Sequence, residues 1–276
     1  MLHIYHVQTI ELGMELPFAK KSLGQHWLTD QASLVAMCDA AEVGLHDTVL
    51  EIGPGLGTLT AELVARAKQV VAIELDAQLA RDLPGRVPAK NLQVSQQDIL
   101  RFDLTQMPPG YKVVANIPYY LTSNLLRVLS ESSNPPVVVA LLVQKEVALR
   151  VTAKPGEMSL LGIMAQFYWE VTLGREVPSR LFTPPPKVDS LILILRRRAQ
   201  PLFPDIDTRK FFRIVKAGFS QRRKTLLNSL SAGLRLSREQ TVELLQSVGI
   251  SPNARAQDLR LTDWYDLYAV AKPAVQ

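Results

Sequence analysis

From residue 48 onward the chain alternates short apolar runs with amphipathic stretches. The runs at 48–52, 69–74, 92–95, 111–115 and 137–143 are rich in Val, Ile and Leu without polar alternation, the pattern of strands buried on both faces of a parallel sheet. Between them, 59–67, 77–83, 123–130 and 144–151 carry apolar residues at helical spacing. Upstream, Asp30 stands as an N-cap before a helix bearing Leu34, Val35, Met37, Cys38 and Ala41. Strand–helix alternation of this kind predicts right-handed βαβ units and a doubly wound α/β fold.

Past Met158 the pattern loosens. Residues 160–167 read as helix, 168–173 as extended chain and 190–195 as another buried strand. Between the last two, 182–190 holds three consecutive prolines and is expected to be a stiff loop, since proline fits neither a helix interior nor a central strand. Residues 199–207 contain two prolines and read as a linker, and the chain then breaks into short helices. The expected organisation is an unpatterned N-terminal arm (1–19), a catalytic α/β domain (20–199) and a helical domain (200–276).

Charge follows the same division. Residues 1–199 hold 19 Lys/Arg against 19 Asp/Glu, whereas 200–276 hold 12 against 7, so the whole net charge of +5 lies in the last part. Such asymmetry suits a polyanionic partner, and a solvated helical surface would account for it equally. A single cysteine rules out a disulfide framework or a thiolate metal cage, and the four histidines have no ligand spacing, so no metal is expected. The longest apolar run, 137–143, falls far short of the ~18–20 residues of a membrane helix. No basic stretch followed by an apolar core opens the chain, which predicts a cytoplasmic protein without membrane contact.

The first chemical motif is Glu51-Ile52-Gly53-Pro54-Gly55-Leu56-Gly57, directly after the first strand of the series and before a helix. Glycines there let a ligand approach the backbone, as a dinucleotide's pyrophosphate or the methionine end of S-adenosylmethionine would; a plain tight turn also accounts for them. Glu74 closes the next strand, where a carboxylate accepts from ribose hydroxyls of either cofactor. Asp98 follows the third strand and can accept from an adenine amino group, or merely cap a turn. All three fall at the carboxyl ends of consecutive strands, where open α/β sheets bind ligands.

Asn116-Ile117-Pro118-Tyr119 ends the fourth strand. An exocyclic adenine amino group is a poor nucleophile because its lone pair is delocalised into the ring. Two acceptors aimed at its N–H bonds favour the tetrahedral nitrogen that can attack a sulfonium methyl. The Asn116 side chain and the carbonyls of Ile117 and Pro118 offer those acceptors, and Tyr119 offers a ring to stack on the base.

Together with Lys21–Leu28, the 182–190 block and Phe219-Ser-Gln-Arg-Arg-Lys-Thr-Leu226, these motifs resemble the KsgA-type family of small-subunit ribosomal RNA adenine N6,N6-dimethyltransferases, from about Lys20 to Trp264. The resemblance implies a Rossmann-like S-adenosylmethionine domain with a small all-helical C-terminal domain. The implied substrate is two adjacent adenosines in a hairpin loop near the 3′ end of small-subunit rRNA, in an immature subunit, with the enzyme acting as a monomer. By matching position, the cofactor contacts would be Gln25, His26, Leu28, Gly53, Gly55, Glu74, Leu75, Asp98, Ile99 and Asn116. Phe182 would sandwich the flipped base against Tyr119, with Asn116 and Pro118 beside it. Gln25-His26-Trp27 stands where bacterial relatives commonly show Gln-Asn-Phe.

Arg222, Arg223 and Lys224, inside the basic part, are expected to contact RNA phosphates. Arg196–Arg198 reads as a solvated run, and Tyr120, Trp169 and Trp264 as core or partly buried surface. The large-subunit Erm-type methyltransferases share the Asn-X-Pro-Tyr chemistry; the triple proline and the Arg-Arg-Lys segment favour the small-subunit family. A binding-only assembly factor is disfavoured by the intact Glu74, Asp98 and Asn116, and a nicotinamide oxidoreductase by the lack of hydride-transfer partners.

Overall fold

A computed structural model of the chain describes residues 20, 23–203, 206–221 and 223–271; the 1–19 arm lies outside the described residues. In chain order the first half runs β1 (Trp27–Leu28), α1 (Gln31–Ala40), β2 (Thr48–Ile52), α2 (Thr58–Arg66), β3 (Gln69–Glu74), α3 (Ala77–Arg86), β4 (Leu92–Gln96), β5 (Lys112–Asn116), α4 (Thr122–Glu131) and β6 (Val138–Gln144). There follow α5 (Lys145–Val151), α6 (Leu160–Tyr168), β7 (Trp169–Val177), β8 (Phe182–Thr183), β9 (Ser190–Arg197), α7 (Thr208–Phe219), α8 (Leu226–Leu234), α9 (Arg238–Ser247) and α10 (Leu261–Ala271).

The main sheet has the order β4-β3-β2-β5-β6-β9-β7. Strands β2 to β6 pair parallel, and β9 lies antiparallel between β6 and β7. The chain runs outward through β2, β3 and β4, then returns to place β5 on the other side of β2. That reversal opens a crevice beyond the carboxyl ends of β2 and β5, the usual ligand position in a doubly wound sheet.

The lack of polar alternation in the central strands has a direct cause. Val49, Val70, Val114 and Ala140 face a core shared with Leu34 and Met37 of α1 and Leu59 and Leu63 of α2. Their neighbours Leu50, Ile73, Val113 and Leu141 face the opposite core, with Leu125, Leu126 and Leu129 of α4. Successive side chains point to opposite faces, and helices cover both. β4 departs from this expectation. It pairs only with β3 at the sheet edge, Gln93 and Gln96 are exposed, and no residue of the strand is fully buried.

Two expectations for the next segment change. Phe182 and Thr183 form a short strand, with Leu28 opposite Phe182 and Trp27 opposite Thr183; they precede the first proline and keep their backbone N–H groups. β7 runs on to Val177, with an irregularity between Leu173 and Glu176. The arginine run is also not simply solvated. Arg196 pairs with Glu42 at 2.7 Å, Arg197 lies 5.2 Å above both the Tyr168 and Trp169 rings, and Arg198 reaches Glu170 at 3.5 Å.

Helices α7 to α10 surround a core containing Phe211, Ile214, Leu226, Leu230, Trp264 and Leu267. Helix α6 belongs to both cores: Ala165 joins the sheet, while Ile163 and Phe167 enter the helical core. Phe203, in the proline-containing linker, stacks on Tyr265 at 4.3 Å. No described helix is long and apolar enough to cross a membrane.

Candidate active site

Gln25, His26, Leu28, Gly53, Gly55, Glu74, Leu75, Asp98, Ile99, Asn116, Pro118, Tyr119 and Phe182 all line one cleft at the carboxyl ends of β2, β3 and β5. The sheet order brings together the residues that end or follow β2, β3, β4 and β5, while Gln25, His26, Leu28 and Phe182 arrive from the separate β1–β8 pair and the segment before it.

The β2–α2 turn is cofactor-permissive for a visible reason. Gly53 has φ +68°, and a Cβ built there meets nothing within 4 Å, so its position borders open cleft. Gly55 has φ +57°, and a Cβ there would lie 2.7 Å from the Trp27 ring. Only glycine satisfies both the left-handed backbone and the close approach. Glu74, nearly buried, accepts from the Gly55 N–H at 3.1 Å and from the Asp76 N–H at 2.8 Å. Those bonds orient the carboxylate and leave one lone pair on each oxygen for a further donor. Burial raises its pKa, and the amide bonds oppose that rise. Asp98 does cap the short turn after β4, accepting from Leu100 N–H at 2.9 Å through Oδ1, and retains Oδ2. Leu75 (47% exposed) and Ile99 (6%) give the cleft apolar surface near these carboxylates.

Residue 20 and residues 23–28 form a strap at the edge of the cleft. Lys20 pairs with Asp76 at 2.6 Å and holds its carboxyl below the usual range, mainly by hydrogen bonding to it. Gln25 Oε1 accepts from the Lys20 N–H at 2.8 Å, which turns that amide towards the strap's own backbone. His26 Nδ1 donates to the Pro184 carbonyl at 2.7 Å, and the Leu28 carbonyl accepts from Thr58 Oγ1 at 2.8 Å. The strap is thereby tied to β8, to the start of α2 and to the helix cap after β3.

Asn116 Nδ2 donates to the His26 carbonyl at 3.4 Å, leaving Oδ1 without a hydrogen-bond partner among the described residues. The Pro118 carbonyl accepts from Leu121 N–H at 3.0 Å within a 3₁₀ turn, whereas that of Ile117 has no backbone donor among the described residues. Of the two backbone acceptors expected from the sequence, Ile117 is the freer. The Tyr119 hydroxyl bonds Ser190 Oγ at 2.8 Å, and burial raises its pKa.

Phe182 is only 3% exposed and packs in the core with Leu28 and Leu34. The ring lying nearly parallel to Tyr119 is that of His26, at 6.1 Å and 21°. Little of Phe182 is open to a base in this form; it supplies an apolar wall. Tyr120, expected in the core or partly buried, is 62% exposed at the same cleft. Trp169 and Trp264 are core, as expected.

Glu51 opens the glycine motif without a role of its own there. It lines the cleft, is 1% exposed, and neither carboxyl oxygen has a hydrogen-bond partner among the described residues. Burial pushes its pKa up to about 8, with the nearby Thr60 hydroxyl opposing the rise and Glu74 adding to it. The available signal was one carboxylate inside an otherwise apolar strand. Among the described residues, no group of three or more His, Cys, Asp or Glu could hold a metal ion.

Away from the cleft, Arg223 and Lys224 are exposed between α7 and α8; Arg222 lies outside the described residues. Helix α7 adds a basic stripe that the sequence reading missed, with Arg209, Arg213 and Lys216 exposed on one face. Their i, i+4, i+7 spacing carried the signal.

The family model described as ribosomal RNA adenine dimethylase matches residues 18–272. A ribosomal RNA small subunit methyltransferase A from Dehalococcoides mccartyi is 42% identical over 251 residues, 89% of this chain and 86% of its own. Its counterpart from Moorella thermoacetica is 39% identical over 259 residues, 89% and 90% of the two chains. Among solved structures, a dimethyladenosine transferase from Plasmodium falciparum superimposes with a TM-score of 0.78 at 26% identity, covering 90% of this chain and 98% of that one. The 23S rRNA methyltransferase ErmE superimposes with a TM-score of 0.72 at 31% identity, covering 89% and 99%.

Proposed function

The chain belongs to the ribosomal RNA adenine dimethylase family, and from that premise we propose that it dimethylates the N6 amino groups of two adjacent adenosines in a hairpin loop near the 3′ end of small-subunit rRNA. In this reading it uses S-adenosylmethionine, works on an immature small subunit in the cytoplasm, and acts as a monomer. The observation that carries the reading is the Asn116–Tyr119 turn, whose unpaired Oδ1 shares one cleft with Glu74 and Asp98.

The residues present fit this cofactor. The open space at Gly53 suits a methionine chain, and the remaining lone pairs of Glu74 suit ribose hydroxyls. Asp98 Oδ2, with Leu75 and Ile99, suits an adenine, while the backbones of His26 and Leu28 and the Gly55 turn close the other side. Bound S-adenosylmethionine supplies an electrophilic methyl group. Asn116 Oδ1 and the Ile117 carbonyl accept from the two N–H bonds of the target amine, which localises the nitrogen lone pair and aims it. Tyr119 gives the base a stacking face, Pro118 fixes the turn, and Phe182 forms the apolar wall behind it. The help is preorganised polarity and alignment, without a strong base. Arg222, Arg223 and Lys224 hold the RNA through phosphates.

The similarity to ErmE makes large-subunit RNA the second substrate to test. Methyl transfer to separated, unmodified small and large subunits, with products located by primer extension, decides between them. The proposal expects incorporation confined to adjacent adenosines near the small-subunit 3′ end. Incorporation only into large-subunit RNA would overturn it.

A further inference from the structure

We propose that Tyr120 is an RNA-stacking residue, its ring receiving the base of a nucleotide that flanks the target adenosine. The inference rests on the activity proposed above and adds a contact at the mouth of the same cleft. Among the described residues, only two large apolar side chains that line the cleft are exposed, Leu75 at 47% and Tyr120 at 62%. Leu75 follows β3, beside the ribose and adenine carboxylates, and the cofactor accounts for it. Tyr120 directly follows the turn that presents Asn116, and neither cofactor nor target base accounts for it.

The ring is exposed on a backbone that is held. Its 3₁₀ turn is closed by Leu121 N–H donating to the Pro118 carbonyl at 3.0 Å and by Thr122 Oγ1 donating to the Tyr119 carbonyl at 3.0 Å. A Cβ built on Gly24 would lie 3.5 Å from the Tyr120 ring, so the strap backs one part of the ring and leaves the rest open. Its hydroxyl has no hydrogen-bond partner among the described residues, in contrast to that of Tyr119, which is tied to Ser190. Successive residues of a 3₁₀ turn project about 120° apart. The two tyrosines therefore address different bases: Tyr119 one drawn in beside Asn116, Tyr120 one that stays at the rim. Flipping a base out of its stack uncovers the face of its neighbour. An exposed aromatic ring covers such a face whatever the base, and a stack of this kind is worth roughly 5- to 150-fold in affinity.

Tyr120→Ala, Tyr120→Phe and Tyr120→Trp test this. KM and saturating single-turnover rate are measured on unmodified small subunits, S-adenosylmethionine affinity by calorimetry, and folding by melting temperature. Tyr120→Ala should raise the subunit KM by roughly 5- to 150-fold while the saturating rate changes far less. Phe and Trp should restore KM, since stacking needs a ring and not the hydroxyl. Cofactor affinity and melting temperature should stay as in the wild type. An unchanged KM in the alanine variant, failure of both aromatic variants to rescue, or an equal loss of cofactor affinity would overturn the proposal. A wild-type protein that binds S-adenosylmethionine yet neither binds nor methylates subunits would instead overturn the activity reading itself.

Discussion

The cleft and the basic face of the helical part treat their polar groups in opposite ways. In the cleft nearly every polar group is held by a second contact: Glu74 by two backbone amides, Asn116 by the His26 carbonyl, His26 by the Pro184 carbonyl and Tyr119 by Ser190. On the helical part Arg209, Lys216, Arg223 and Lys224 are exposed and form no ion pair among the described residues. Fixed acceptors suit a reaction that depends on the direction of one nitrogen lone pair. Free cations on flexible stems suit phosphates, whose contacts position an RNA without reading its sequence. The difference implies that chemistry and RNA holding can be damaged separately.

The largest expected effect is on the chemistry. Asn116→Ala removes a side-chain acceptor that the motif aims at the target amine, so the single-turnover methylation rate should fall by about 10²–10³-fold, the range for losing one preorganised polar group. Subunit binding should hardly change; similar rates in mutant and wild type would show that the acceptor lies elsewhere. Next comes the cofactor. Glu74→Ala should weaken S-adenosylmethionine binding by about 1–3 kcal/mol and leave subunit affinity intact, as calorimetry and filter binding would report.

A smaller effect concerns Glu51, the unpartnered carboxyl of the cleft. Its pKa rises from 4.5 unfolded to about 8 when folded. A group raised on folding contributes most to stability below the lower value, and that contribution is lost as pH climbs through the upper one. Melting temperature should therefore fall between about pH 4.5 and pH 8 more steeply in the wild type than in Glu51→Gln. Superimposable profiles would place Glu51 in a solvated setting. The smallest effect is expected from removing residues 1–13, which precede the family match at residue 18. Activity and melting temperature should stay near those of the full chain, and a marked loss of either would show that the arm docks.

The legible parts of the fold were those fixed by local pattern. β2, β3, β5 and β6 declared themselves because helices cover both faces, and the cleft followed because Gly53, Glu74, Asp98 and Asn116 each end or follow a strand. Edge position misled at β4, whose Gln93 and Gln96 need no cover. The pairing of Phe182 with Leu28 joins segments more than 150 residues apart, and no local period encodes it. For the same reason the burial of Phe182, the approach of His26 to Tyr119 and the stacking of Arg197 on Tyr168 and Trp169 appear only once the chain is folded. Pro118 could be named from the motif, but that its carbonyl is engaged and that of Ile117 free depends on the turn that follows.

The division between cleft and basic face is tested most directly by two variants on the same unmodified small subunits, with salt dependence and saturating single-turnover rate measured for each. Changing Arg222, Arg223 and Lys224 to Ala should weaken subunit binding and flatten the slope of log affinity against log salt by roughly 0.7–0.9 per lost contact. Its rate at saturating subunit and its cofactor affinity should match the wild type. Asn116→Ala should show the reverse, a wild-type salt slope with a collapsed rate. A salt slope unaltered by the triple change, or a saturating rate that falls with it as far as in Asn116→Ala, would contradict the separation of holding from chemistry.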